Sequence, residues 1–391
     1  MEAKKVRLGI LGIGNMGSGH CKSIMKGESP EIELAAVCDI NPDRLKWAEE
    51  ELPASVAKFD DAIKMMESGL IDAVLVAVPH YFHPQYAIEG FKHHLHVMCE
   101  KPAGVYTKQV REMNEMAKKS DVTFAMMFNQ RTNCIYRKMK EIVDSGEMGQ
   151  IRRTNWLITN WYRPQSYYDS GAWRATWSGE GGGVLLNQCP HQLDLFQWIC
   201  GMPIKVDAHL HIGKWHDIEV EDDVTAYFEY ENGATGCFIT STGDAPGTNR
   251  FEIQMDGGKL VAENDKLYMW KLDVPEPEFN KNCHTSFGHP EATMSEVETD
   301  GFNPQHKGVL NAFAAHILHG TPLVAEGVEG IRGLTISNAM HLSHFLGKPI
   351  ELPFDEELYY EELMKRVKTS RRKENVVSVV ADTSSSYAGA K

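Results

Sequence analysis

No stretch of this sequence stays apolar for long enough to cross a bilayer, which argues against a membrane protein. Basic residues are in deficit. Lys and Arg number 40 against 54 Asp and Glu, for a formal net charge of −14, so no cationic surplus is on hand for nucleic acid or anionic lipid. The eight cysteines (21, 38, 99, 134, 189, 200, 237, 283) never fall in a C-x-x-C spacing, and several sit inside apolar segments. They read as buried thiols of a reducing compartment, not as a disulfide frame or a zinc site. Histidines 93, 94, 96, 209, 211, 216 and 306 form no metal-ligand pattern; they are taken as structural, with His306 a candidate for facing a pocket. No internal repeat is visible, and the first apolar strand starts too close to the N-terminus to leave room for a secretory leader. The expectation is a cytoplasmic protein with no metal, membrane or nucleic-acid partner.

What the chain does have comes early. The apolar run 6–11 leads into Gly12-Ile13-Gly14-Asn15-Met16-Gly17, and a helical pattern follows. In a strand–turn–helix of this type the first glycine permits the tight turn. The second lets backbone approach a pyrophosphate, and the third lets helix pack on strand. The N–H groups that open the helix then face the phosphates with partial positive charge. A second strand, 32–39, ends in Asp39, 22 residues beyond Gly17. An acid there can accept from both ribose hydroxyls and repels a 2′-phosphate, which favours NAD; Arg44 nearby leaves NADP open.

With 391 residues the chain has room for two domains. From 1 to 128, strands alternate with helices: helices at 42–51, 60–68, 83–92 and 107–120, strands at 71–79, 95–100 and 122–128. Repeated β-α-β units predict a doubly wound parallel sheet, with ligands beyond the carboxyl ends of its strands. Pro79, His80, Tyr81, Glu100, Lys101, Pro102, Asn129, Gln130 and Arg131 stand at those ends. A helix at 134–145 stops at Gly146. The texture then changes to period-two strands rich in Thr, Trp, Tyr and Val, linked by turns such as Glu231-Asn232-Gly233 and Asp256-Gly257-Gly258. This predicts an α+β second domain, 129–355, built on a large, mostly antiparallel sheet, with helices near 309–319 and 328–346 closing it. A free sheet face would suit a homo-oligomer of two or more subunits. Residues 263–305 read as an irregular excursion. The remainder, 356–391, reads as a charged helix and a tail of disordered composition, with a neighbouring subunit as the candidate to hold it.

Two further stretches carry chemistry: Glu100-Lys101-Pro102 at a strand end, and Gly181-Gly182-Gly183 followed by Asn187, Gln188, Pro190, His191 and Asp194. With the glycine fingerprint, Pro79-x-x-x-His83 and Ser145-Gly-x-x-Gly149, this ordered set resembles the Gfo/Idh/MocA family of sugar and polyol dehydrogenases, over roughly residues 4–355. The resemblance implies NAD as cofactor, held by Gly12, Gly14, Asn15, Met16, Gly17, Asp39, Arg44, Pro79, His83, Glu100, Lys101 and Asn129. It implies hydride transfer from a secondary alcohol, with Lys101 and His191 handling the proton. The chemistry agrees. Loss of a hydride must be matched by loss of a proton to a base in reach, and an ammonium beside the same oxygen stabilises an alkoxide. The bland alternatives are a Lys101–Glu100 surface salt bridge and a core His191 satisfied by Asp194.

Where many relatives carry Asp four residues before the histidine, this chain has Asn187, which can orient groups but cannot relay a proton. The spacing 187, 191, 194 puts the three on one helical face, although Pro190 must sit in a first turn or kink the helix. The loop 160–177 combines Trp, Tyr, Arg, Asn and Gln, the residue types of a pyranose site. Trp173 and Arg174 are the leading candidates for substrate contact, followed by Tyr162, Arg163, Gln188 and His191. The loop 242–250 is a further candidate. The texture of 156–200 is similar to the branch of the family that oxidises glucosides at C3, where a partner enzyme can then eliminate the aglycone. Alternatives are oxidation of an inositol or a sugar nucleotide, a glycosidase that borrows NAD transiently, and, in a different class, a non-catalytic NAD sensor. Lys101 and His191 together argue against the last.

Overall fold

The computed structural model describes residues 4–371; the predicted tail beyond the last helix lies outside the described residues. In chain order the first lobe runs β1 (Val6–Leu11), α1 (Asn15–Met25), β2 (Ile32–Cys38), α2 (Pro42–Glu51), β3 (Ala57–Phe59) and α3 (Ala62–Glu67). It continues with β4 (Ala73–Val76), α4 (His83–Lys92), β5 (His96–Cys99), α5 (Thr107–Lys119) and β6 (Phe124–Met126). Its six strands are parallel in the order β3-β2-β1-β4-β5-β6. The order reverses between β1 and β4, so a crevice for a ligand opens where the glycine turn leaves β1. The strands are buried on both faces, as Leu8, Ile10, Val74 and Leu75 at 0 % exposure show.

The chain then passes through α6 (Cys134–Ser145), β7 (Ile151–Ile158), α7 (Gln165–Tyr168) and α8 (Pro190–Cys200). Next come β8 (Lys205–Ile212), β9 (Glu221–Glu229), β10 (Thr235–Ser241), β11 (Asn249–Met255), β12 (Gly258–Glu263) and β13 (Lys266–Leu272). It ends with α9 (Glu276–Asn282), β14 (Ala292–Glu296), α10 (Gln305–His319), α11 (Gly330–Leu346), β15 (Ile350–Glu351) and α12 (Glu356–Thr369). Nine strands form the second sheet, β14-β13-β12-β11-β7-β10-β9-β8-β15, antiparallel except where β10 lies parallel to β7. The fold class is therefore the expected one: a parallel Rossmann sheet joined to a mostly antiparallel α+β sheet.

Alternation gives this sheet one buried face and one open one. Trp156, Val224, Phe228, Phe238 and Phe251 point inward, while Leu157 and Tyr227 are exposed. Trp156 stacks on Phe251 at 4.2 Å, and Phe196 of α8 inserts among Phe228, Phe238 and Phe251. That aromatic anchor seats α8 on the sheet. α6 keeps its predicted ends because both signals are local: the Asn133 side chain accepts from Ile135 N, and Gly146 takes the left-handed conformation at φ 71°.

Two expectations fail here. Residues 263–305 are not irregular: they form β13, α9 and β14 at the sheet edge. Their pattern is faint because β14 is exposed along its whole length. α10, expected to close the second sheet, instead buries Val309, Leu310, Phe313 and Ala314 in one cluster with Val6, Leu8 and Ile10 of β1. α11 does pack on the second sheet, its Ser343 hydroxyl accepting from Ala208 N of β8.

Candidate functional site

The glycine turn is shaped by contact. Gly12 has φ 87°, and a Cβ there would meet Ala77 O at 2.6 Å; one on Gly17 would meet Gly12 O at 1.9 Å. Gly14 differs, since a Cβ there would find nothing within 4 Å. α1 begins at Asn15 with no side-chain cap and no acid in its first turn, so no capping side chain takes its leading N–H groups. Asp39 accepts from Ile13 N and Asn41 N, at 2.9 Å each, which holds its carboxylate beside the turn. Arg44 donates Nε to Ile13 O at 2.7 Å and lies over Trp47; its buried Nη2 has no hydrogen-bond partner among the described residues. An open cradle of N–H donors with an acid at the second strand fits a dinucleotide.

Beyond β5, Glu100 is buried and bonded to His20 Nε2 at 2.7 Å. Burial alone would raise its carboxyl, but the His20 hydrogen bond and charge, with His306 and Lys101 adding, bring it down to about 2. It is a firm anion. Lys101 does not make the surface salt bridge with it. Its ammonium instead donates to the Asn187 main-chain carbonyl at 2.9 Å. Burial lowers the Lys101 pKa, against the opposing pull of Glu100 and Glu180.

α8 starts at Pro190 in its first turn, so Asn187 lies before the helix and not on a shared face with His191 and Asp194. The expected common face is corrected by the proline, which lacks an N–H and here opens the helix. His191, 1 % exposed, has its pKa driven well below 6.5 by burial first and then by the charges of Lys101 and His306. Asp194 is committed elsewhere. Its carboxylate takes a bidentate pair from Arg131, Nε and Nη2 at 2.7 Å each, while Arg131 Nη1 reaches Glu329. The buried pair ties α8 to the end of the first sheet.

The loop from 160 to 188 converges on Tyr167. Its hydroxyl accepts from Arg174 Nη1 at 2.7 Å and Gln188 Nε2 at 3.3 Å, and donates to Asn187 Oδ1 at 3.4 Å. Arg174 is sandwiched between Tyr167 and Trp173 at 4.4 and 4.7 Å, and Trp173 packs edge-on to His80. Arg163 also lies over Tyr167. Gly181, Gly182 and Gly183 fit only without side chains, against Val105, Leu186 and Glu221 O. The Glu221 carboxylate accepts from Gly183 N and Leu185 N, fixing the run.

Lys101, Asn187, Gln188, Arg163, Trp173 and Arg174 are thus joined through one set of contacts, with His191 in electrostatic reach of Lys101. Others stand apart. His83 bridges Pro102 O and Val78 O at 2.6 and 2.7 Å, clamping two strand-end loops together. Asn129 donates to Gln305 Oε1, and Tyr162 is 51 % exposed. Sequence reasoning missed Glu180, Tyr167 and His20 as site residues. Glu180 is 2 % exposed, accepts from Ala175 N at 2.6 Å and takes a close bond from Asn187 Nδ2. Burial raises its carboxyl and Glu221 adds to the rise, against Arg174, the Ala175 N–H and Asn187. An acid immediately before a triple glycine was the available signal.

Sheet order, glycine turn and strand-end acid together define a dinucleotide-binding α/β protein. Residues 6–128 match the model of the oxidoreductase family with an NAD-binding Rossmann fold, and residues 136–261 match the GFO/IDH/MocA C-terminal domain. The chain belongs to the GFO/IDH/MocA family of oxidoreductases and carries its NAD-binding domain. It is 27 % identical over 267 residues to a myo-inositol 2-dehydrogenase of Thermotoga maritima, covering 66 % of this chain and 75 % of that one. To the D-glucoside 3-dehydrogenase of Escherichia coli it is 27 % identical over 252 residues, covering 60 % and 69 %. The WlbA dehydrogenase of Bordetella pertussis, solved with NADH and UDP-GlcNAcA, superposes with a TM-score of 0.75 at 25 % identity, covering 90 % of this chain and all of that one. Among the described residues no helix is long and apolar enough to cross a membrane.

Proposed function

We propose that this protein is an NAD-dependent dehydrogenase that oxidises a secondary ring hydroxyl, at C3, of a glycoside or related sugar or cyclitol. The observation that carries the reading is the meeting of Lys101, from the end of β5, with the Asn187–His191 segment of the second lobe beside an open glycine cradle. NAD, when bound through Gly12 to Gly17 and Asp39, supplies the hydride acceptor. Lys101 offers its remaining ammonium hydrogens to the reacting oxygen and stabilises the developing alkoxide. His191, kept neutral by burial and by the charge of Lys101, accepts the hydroxyl proton. Arg174, Trp173 and Gln188 bind the ring, the flat faces on aromatic surface and the hydroxyls on polar groups.

A glucoside substrate draws support from the named glucoside dehydrogenase, and a partner enzyme that eliminates the aglycone from the 3-keto product belongs to the same reading. A sugar nucleotide is the second reading, motivated by the likeness to WlbA. The open face of the second sheet, with Leu157 and Tyr227 exposed, is proposed as the homo-oligomer contact. The test is NADH formation over a panel of alkyl and aryl glucosides, inositols and UDP-sugars, with aglycone release followed in parallel. NADH in step with a 3-keto product supports the reading. Aglycone release without NADH would point to transient borrowing of the cofactor, and no NADH from any member of the panel would contradict the reading.

A further inference from the structure

Two carboxylates flank Lys101, and each is held by partners of its own. Glu100 is an anion held by His20. Glu180, in the turn ahead of the triple glycine, is buried with both oxygens committed: one accepts from Ala175 N and the other from the Asn187 amide. The roles given above to Lys101 and His191 make no use of Glu180.

Its contact with Asn187 has a directional consequence. An asparagine amide offers donors on one side and an acceptor on the other, and nothing in its own shape decides which way round it sits. A carboxylate can only accept, so Glu180 requires the NH2 end. The carbonyl end, Oδ1, is then left to face the Tyr167 hydroxyl at 3.4 Å and, through it, Arg174 and Gln188. We propose that Glu180 is the specificity-determining positioning residue of this site: it orients the Asn187 amide so that residue 187 meets a substrate hydroxyl as an uncharged acceptor. The carboxylate that an aspartate at 187 would carry is supplied one layer back, from residue 180. This inference rests on the proposed dehydrogenase reading for the identity of the hydroxyl, but the contact itself does not.

Substitutions at the two positions have opposed effects. Asn187→Asp sets two buried carboxylates against each other, and like charges so placed share one proton. Glu180→Gln keeps an acceptor for Ala175 N but turns an NH2 toward Asn187. The Asn187 amide must then flip and present its donors to the Tyr167 side. The double variant E180Q/N187D restores the pairing. The NH2 of the introduced glutamine donates to one oxygen of the introduced aspartate, and the other oxygen again faces Tyr167 as an acceptor.

The experiment measures kcat and KM against pH for the wild type, both single variants and the double variant, and follows carboxyl protonation of the cofactor-free chains by infrared titration. Each single variant is expected to lose roughly tenfold in kcat/KM, the double variant to recover most of that loss, and N187D alone to gain an extra ionisation in its pH profile. In the infrared arm, N187D holds a carboxyl proton to higher pH than the wild type, and the double variant releases it. A double variant no better than the weaker single variant, or N187D matching the wild type with no retained proton, would overturn the inference. Should the wild type oxidise none of the sugars or cyclitols tried, the dehydrogenase reading fails by itself. The infrared arm then still decides whether Glu180 governs residue 187.

Discussion

The ammonium of Lys101 donates to the main-chain carbonyl of Asn187 at 2.9 Å, joining positions 86 residues apart. That one bond fastens the end of a first-sheet strand to the segment that leads into α8. A bare lysine in so enclosed a place would be costly; here one of its hydrogens is satisfied by backbone, and the proposed reading gives the other two to the substrate oxygen.

The glycine turn separates folding from binding. Gly17→Ala drives a Cβ to 1.9 Å from Gly12 O and should destabilise the fold, lowering the melting temperature with or without cofactor. Gly14→Ala meets nothing within 4 Å, so its melting temperature should match the wild type while NAD affinity falls. Calorimetric melting and NAD titration of the two variants check this contrast. Equal effects on both quantities would remove the distinction drawn between the two glycines.

Arg131 and Asp194 form a bidentate pair that is almost wholly enclosed. Arg131→Ala leaves the buried Asp194 carboxylate without its counter-charge and should cost about 3–5 kcal/mol in urea unfolding, whereas Asp194→Ala leaves Arg131 still paired with Glu329 and should cost less. The double replacement by apolar residues of similar volume should cost much less. A loss under about 1 kcal/mol for Arg131→Ala would mean that water reaches the pair freely.

Acid should weaken the fold through its enclosed histidines. Burial is the leading cause that lowers the pKa of His80, His83, His191 and His306, the last to about 4. In the unfolded chain these groups take protons near pH 6.5. The stability they contribute is therefore complete above about pH 6.5 and is lost as pH falls toward about 4, where the folded chain begins to bind the same protons. Unfolding free energy measured at intervals between those limits should fall steadily, and His306→Gln should flatten part of the slope. A flat profile would show that these imidazoles titrate freely in the folded chain.

How legible this was depends on the range of the signal. The fingerprint at Gly12–Gly17 and the stop at Gly146 act within a few residues, and both were readable. β13 and β14 were not, because strand recognition leans on a buried face and β14 has none. The stripe of Val309, Leu310 and Phe313 announces a helix but not its partner; α10 packs on β1 from the far end of the chain, a choice made by tertiary packing. Lys101 and Asn187 were both singled out, yet the contact between them involves a main-chain carbonyl, which no residue type reveals. Glu180 and His20 escaped notice because a charged or polar side chain in a turn or a short helix usually faces water, and only the fold turns these two inward.

The central claim is that Lys101 and His191 handle one proton at one oxygen. The most direct measurement is single-turnover NADH formation by Lys101→Ala and His191→Ala, with NAD affinity determined in parallel. Each variant should lose about 10²–10⁴ in rate while binding NAD as the wild type does. Wild-type rates in both variants, or a loss that tracks NAD affinity alone, would contradict it.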